Sequence, residues 1–231
     1  MIKGITGVIA SGQRRIIQSG LVYHYDFSSR VTYPGTGVIV NDLSPTGATG
    51  EVLNGAGFNT TRPHYFEFDG VDDRIKTSQP ITLSGNATFM AWIYWPATQG
   101  KNVGLIYSRS STVNGFKINS NDSLGYIYNT DVATWNWLSG PIVPKNIWNF
   151  VCVTVSPTQA IASIRNANGV LQATNTTTHT ATVIMDDTDI GADRKVGRYF
   201  AGNIAMASMY NRTLSPTEVV YNYDITKNKF V

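Results

Sequence analysis

The sequence predicts an all-β protein, a two-sheet antiparallel jelly-roll sandwich with one short C-terminal helix. Three observations carry this. Short apolar or alternating segments recur along the chain, separated by Gly, Pro, Asn and Asp turn chemistry, the pattern of sandwiches and jelly rolls. The composition, 11% aromatic and rich in Gly, Thr and Asn, favours strands and turns over helices. The 231 residues fit one large β domain, without an internal repeat or a linker between unlike halves.

The elements follow in order. Leu21 to Phe27 (LVYHYDF) alternates as a first strand. Arg30 to Gly57 holds YPGTG, LSPTGATG and LNGAG and reads as a long ordered surface loop. YFEFDGVDDRIKT supplies two short β runs around an Asp-Gly corner, and TFMAWIYW (Thr88 to Trp95) is a continuous apolar strand of a sandwich core. Further strands are expected at 104–107, 115–119, 124–129, 148–155, 160–165, 180–185 and 202–210. Trp92 and Trp148 are expected to fill the layer between the sheets. Ser215, Pro216 and Glu218 form a capping box that starts the one plausible helix, ending near Asn222. The domain division is an N-terminal arm, 1–19, and a jelly-roll domain, 20–231.

Composition excludes several classes. Charged residues are 14% of the chain against about 25% in ordinary domains, and the net charge is only +3, so nucleic acid is not the expected partner. No run of 18 apolar residues exists, so no membrane span is expected, and the first twenty residues lack the pattern of a secretion signal. The one cysteine, Cys152, rules out an intrachain disulfide and sits in the apolar run FVCV as core filler.

Four stretches together resemble the concanavalin A-like lectin/glucanase jelly rolls of the laminin-G-like, pentraxin-type family. They are Gly20 to Asn54 with its YPGTG turn and DLS segment, FEFDGVDDRI at Phe66 to Ile75, ATFMAWIYW with the later WNFVCVTV, and FAGNIAMASMYNRTLSPTEV at Phe200 to Val219. Asn41 stands where an aromatic commonly precedes DLS, and the first 19 residues have no counterpart. The overall pattern looks like that of bacteriophage virion proteins. The resemblance therefore implies a non-enzymatic virion structural or surface-decorating protein, in capsid or tail, made in the host cytoplasm. Its partners would be other virion subunits, met through the N-terminal arm, and a cell-surface glycan; a homo-oligomer is expected. The alternatives are a free calcium-dependent carbohydrate-binding module and a glycanase.

Retaining glycoside hydrolysis needs two carboxyl groups about 5 to 5.5 Å apart. Only Glu51, Glu67 and Glu218 exist as glutamates, and Glu67 with Asp69 makes an ExD where the family's glycanases resemble one another in ExDxE. No enzyme is expected. His24, His64 and His179 stand far apart without a nucleophile elbow. Calcium is the cofactor to consider, because carboxylates in irregular loops suit it. Asp69, Asp72 and Asp73 share one turn, and Asp26 and Asp42 are expected to approach it; Asp186, Asp187, Asp189 and Asp193 form a second group. The same side chains could equally cap turn N–H groups. For glycan recognition or a protein interface, YIYNTDVATWNWLSG offers Tyr126 and Tyr128 on one strand face and Trp135 and Trp137 on another, with Asn129, Asp131 and Asn136 among them.

Overall fold

The computed structural model describes residues 15–230. The strands are β1 (Leu21–Asp26), β2 (Ile39–Asn41), β3 (Thr49–Leu53), β4 (Gly57–Asn59), β5 (Tyr65–Asp69), β6 (Arg74–Thr77), β7 (Ile81–Ser84), β8 (Ala87–Tyr94), β9 (Val103–Arg109), β10 (Val113–Ile118) and β11 (Leu124–Ile127). A four-residue helix, α1 (Val132–Trp135), precedes β12 (Trp148–Ser156), β13 (Gln159–Asn166), β14 (Gly169–Asn175), β15 (Thr182–Met185), β16 (Thr188–Ile190), β17 (Ala192–Asp193), β18 (Arg198–Tyr199) and β19 (Ala201–Tyr210), and α2 (Pro216–Thr226) closes the chain.

Two antiparallel sheets face each other. The eight-stranded one runs β14-β13-β12-β8-β19-β5-β4, with β1 also paired to β19; the seven-stranded one runs β11-β10-β9-β16-β6-β3-β2. Period two decides what each strand gives to the space between them. Phe89, Ala91 and Ile93 of β8 and Val151, Val153 and Val155 of β12 meet Phe116 and Ile118 of β10 and Leu124 and Tyr126 of β11 in one buried core. The segment 30–57, read as a loop, contains β2 and β3, which extend the seven-stranded sheet through β6. Its turn residues concealed strands of three and five residues, too short to show a period.

The alternate residues of β8 and β12 point the other way, into a second core. There Met90, Trp92, Phe150 and Cys152 pack with Met206 and Tyr210 of β19, Leu214 and Val219. Trp92 and Trp148 thus lie beneath α2 and not in the inter-sheet layer; Trp92 is fully buried, its Nε1 donating to Thr226 Oγ1 at 2.8 Å, and Trp148 is half-buried against Phe230. Burial pushes the Cys152 thiol up to about 12. The capping box is present, Ser215 and Glu218 each receiving the other's backbone N–H, and Glu218 also takes a bidentate pair from Arg212. The helix runs one turn beyond Asn222, because Asn222 itself is buried, binding Ile17 N and Tyr210 Oη.

Of the arm, residues 15–19 pack onto this second core. Ile16 is buried, Tyr210 Oη donates to Ile17 O, and Arg212 Nε donates to Ser19 O. Residues 1–14 lie outside the described residues.

Candidate functional site

The outer face of the seven-stranded sheet carries a cleft. On β9, β10 and β11 the side chains turned away from the main core include Tyr107, Val113, Lys117 and Ile127, of which Tyr107, Val113 and Ile127 form a small buried cluster. Two walls rise over this floor and enclose a cavity of about 220 Å³, lined among others by Asn102, Tyr107, Arg109, Lys117, Trp135 and Arg198.

The first wall is the chain after β11. Asn129 and Thr130 take positive φ, 53° and 58°, turning the backbone sharply. Asn129 N donates to Asn114 Oδ1 at 2.7 Å, and Val113 N donates to Thr130 Oγ1 at 2.9 Å, pinning the turn to β10. Asp131 is the N-cap of α1, accepting from Ala133 N at 2.9 Å. Thr134 is buried and its hydroxyl donates to Asp131 O at 2.7 Å, which leaves the neighbouring Trp135 41% exposed over the cleft. The second wall is the β17–β18 hairpin. Its Asp193 accepts two 2.7 Å bonds from Arg109, Arg198 stands 3.8 Å from the same carboxylate, and Val196 is exposed at the tip. The Arg109 guanidinium also lies 5.9 Å from the centre of the Tyr107 ring.

Between the walls lies Lys117, 3% exposed. Both of its register partners are glycines, Gly104 on β9 and Gly125 on β11. Each lets another group close in: a Cβ at Gly125 would stand 2.5 Å from the Asn119 side chain, and one at Gly104 2.7 Å from the Ala192 backbone. Lys117 Nζ donates to Trp135 O at 2.9 Å. Burial pulls its pKa down to about 8, with repulsion from Arg198 adding to the fall, Asp193 opposing it and Arg109 reinforcing it.

Several site expectations are corrected. Tyr126 and Tyr128 do share a face, but it is the inner one: both are buried in the main core. Tyr126 Oη meets His179 Nε2 at 2.8 Å, and Tyr128 Oη donates to Ala181 O at 2.7 Å. Neither can touch a ligand. Trp135 and Trp137 are not strand neighbours, because Trp135 ends α1 while Trp137 turns back against the main core, edge-on to Tyr126 at 5.9 Å. Asn129 and Asp131 are exposed, and both serve the turn just described.

Among the acidic residues, Asp69, Asp72 and Asp73 converge, with ligand oxygens all within 4.8 Å. Asp26 and Asp42 do not join them. Asp26 pairs with Lys229 at 2.6 Å, and Asp42 receives Ser44, Thr46 and the His24 N–H. Within the converging group, Asp69 Oδ1 accepts from Val71 N at 2.8 Å and Asp73 Oδ2 from Asp69 N at 3.0 Å, the turn capping that Asp performs without a metal. Each keeps a second oxygen that a hard cation could use. Burial raises the Asp73 carboxyl pKa, and the neighbouring Asp69 and Asp72 charges raise it further. Three of the second acidic group are paired with cations, Asp187 with Arg194 and Lys195, Asp189 with Arg74 and Arg194, and Asp193 with Arg109, while Asp186 is exposed. Glu67 projects from the exposed face of β5, and Asp69 on the same face is engaged in its turn.

Sequence reasoning missed Tyr107, Arg109, Lys117 and Arg198. The available signal was Lys117 in GFKIN, a lone cation between Phe116 and Ile118 of a buried strand; its neighbours come together only through sheet order.

Comparison with known proteins agrees with the architecture. The family model described as the concanavalin A-like lectin/glucanases superfamily, of laminin-G type, matches residues 69–220. No curated protein matches the chain. Among solved structures, domain 4 of the extracellular arabinanase AbnA from Geobacillus stearothermophilus, solved with arabinotriose, superposes with a TM-score of 0.63 at 13% identity, covering 90% of this chain and 98% of that one. A Trypanosoma rangeli sialidase mutant with trans-sialidase activity gives 0.61 at 14% identity over 93% of this chain. The chain spans about a third of that protein, 35%. The binding domain of Paraclostridial Mosquitocidal Protein 1 gives 0.56 at 14% identity, with 90% and 53% covered. At these identities the likeness concerns the fold. With the family model matching well over half of its length, the chain belongs to the concanavalin A-like lectin/glucanase superfamily.

Proposed function

We propose that the chain is a non-enzymatic, lectin-like module that contacts glycan through the cleft on the outer face of its seven-stranded sheet. The observation that supports this best is Trp135. It is a large indole left 41% exposed on a wall fixed by buried hydrogen bonds, beside Tyr107 and a set of polar groups. Sugars present apolar ring faces rimmed by hydroxyls, and an exposed aromatic with convergent donors matches that chemistry. The cavity is below the roughly 300 Å³ at which drug-sized pockets begin, which suits a single ring or chain end. The fold is one whose solved relatives include an arabinanase domain crystallised with arabinotriose.

A virion surface, in capsid or tail, is the setting implied by the sequence resemblance, with other virion subunits as partners through the N-terminal arm. Residues 15–19 belong to the fold, so the assembly test deletes only 1–14. Loss of oligomer or particle incorporation with an unchanged melting temperature supports the docking role, and unchanged assembly overturns it. Calcium at Asp69, Asp72 and Asp73 is part of the same proposal.

The test of function is a glycan array probed with the full chain in calcium and in EDTA, beside Trp135→Ala. Binding that Trp135→Ala abolishes supports the cleft, and its loss in EDTA supports the metal. A folded protein that binds no glycan in either condition overturns the reading. Polysaccharide breakdown lost in Glu67→Gln would replace it with a glycanase.

A further inference from the structure

Among the described residues, no carboxylate pairs with the Lys117 ammonium in the cleft. A lysine Nζ has three donors. Among the described residues the Lys117 Nζ makes one hydrogen bond, to the neutral carbonyl of Trp135, although the residue is only 3% exposed. The nearest fixed carboxylate, Asp193, is committed to Arg109 through both oxygens and stands beside Arg198 as well. Two arginines and one lysine therefore line the cavity from β9, β10 and β18, with the buried Asp193 of β17 behind Arg109, so positive charge is in excess there. Burying an unpaired charge is costly, and such groups cluster at functional sites.

Resting on the glycan reading above, we infer that the ligand of the cleft is an acidic sugar whose carboxylate is held by Lys117 and flanked by Arg198, with its ring against Trp135. The parts have complementary roles. Arg198 is partly exposed at the rim and attracts an anion as it approaches. Lys117 lies on the floor, where little water competes and a charge-assisted hydrogen bond is strongest. The Trp135 indole then covers a ring whose carboxylate points down. The depressed Lys117 pKa has the same origin, and a bound carboxylate reverses it. Tyr107, whose hydroxyl burial keeps neutral, adds no competing charge.

The test follows the Lys117 amine in the full chain by carbon-13 lysine NMR, with Lys117→Met assigning the resonance. The probes are sodium glucuronate, methyl glucoside, sodium acetate and sodium sulfate at constant ionic strength. A saturable shift with glucuronate, at least about tenfold tighter than with acetate or sulfate and absent with methyl glucoside, is the expected result. Arg198→Ala, at a partly exposed position on the rim, should weaken the glucuronate response severalfold with little change in melting temperature. Lys117→Met, in which glucuronate binding is read by isothermal titration calorimetry because the lysine resonance is gone, should lose that binding while its melting temperature rises, since it removes a buried charge at constant shape. Equal affinity for methyl glucoside and glucuronate overturns the acidic-sugar assignment and leaves the glycan reading standing. Equal affinity for acetate, sulfate and glucuronate also overturns it, in favour of a site that reads charge alone. No response to any of the four overturns the inference, and the glycan array then decides the broader reading independently.

Discussion

The two sheets show opposite treatments of their outer faces. The eight-stranded sheet buries the outer face of its central strands β8, β12 and β19 beneath α2 and residues 16–17, where Trp92 and Tyr210 each find a hydrogen-bond partner, and leaves β14 exposed. The seven-stranded sheet leaves its face open between two walls, with an exposed indole above and an uncompensated ammonium below. Both are built on the same period-two alternation, so the difference lies in what covers them. A covered face serves stability, whereas an open face that buries a charge gives up stability, as the proposed binding role requires.

Four outcomes would break or sharpen this contrast. The largest effect belongs to the sealed face: Trp92→Ala removes a fully buried indole and its bond to Thr226, and should cost about 3–5 kcal/mol in urea denaturation while leaving the cleft's affinity unchanged. A cleft that fails together with the second core would show that the two faces are not independent.

The next effect separates the faces by pH. His24 lies on the sealed side, buried against Ser208, and burial pulls its pKa from 6.5 down to about 4. The unfolded chain therefore takes up this proton first on acidification. Stability is full above 6.5 and is lost as pH falls from there through 4, a decline that His24→Gln should remove. Lys117 on the open side has the same sign higher up: its pKa falls from 10.5 to about 8, so its charge burdens the fold below 8 and stability rises between 8 and 10.5. Denaturation midpoints across both windows, compared with Lys117→Met for the upper one, check the pair.

Ser215→Ala removes the capping side chain of α2 and should cost about 1 kcal/mol, read as a lowered melting temperature with cleft binding intact. The smallest stability effect, below about 0.5 kcal/mol, is expected for Trp135→Ala, whose consequence falls on glycan binding. A large destabilisation there would make Trp135 part of the packing and remove it as a platform.

How much of this was legible follows the same division. Of the eight-stranded sheet, β8, β12, β13 and β19 were readable because they are long and largely apolar, whereas the exposed, polar β14 and the three-residue β4 were not expected, and the Ser215 capping box marked α2. Trp92 and Trp148 were recognised as packing residues, but their side of the sheet was not, since a strand apolar on both faces does not reveal which side meets which layer. The cleft was legible only at Trp135, where Asp131 and Thr134 set a local turn. Lys117, Arg109 and Arg198 come from three strands brought together by the order β10-β9 and the β17–β18 hairpin, which no local pattern encodes. Tyr126 and Tyr128 failed as ligand contacts for a related reason, because a tyrosine face near polar text looks the same inward or outward until its hydroxyl partners are known.

Cys152 gives the sealed face a built-in clock. It is the chain's one thiol, fully buried beneath α2 and held protonated by its surroundings. A disulfide reagent can reach it only when the helix lifts from the sheet. The rate at which the native protein is labelled therefore counts those openings one molecule at a time, without denaturant and without an introduced probe. Run with and without ligand in the opposite cleft, the same count measures whether occupancy on one side of the sandwich is felt on the other.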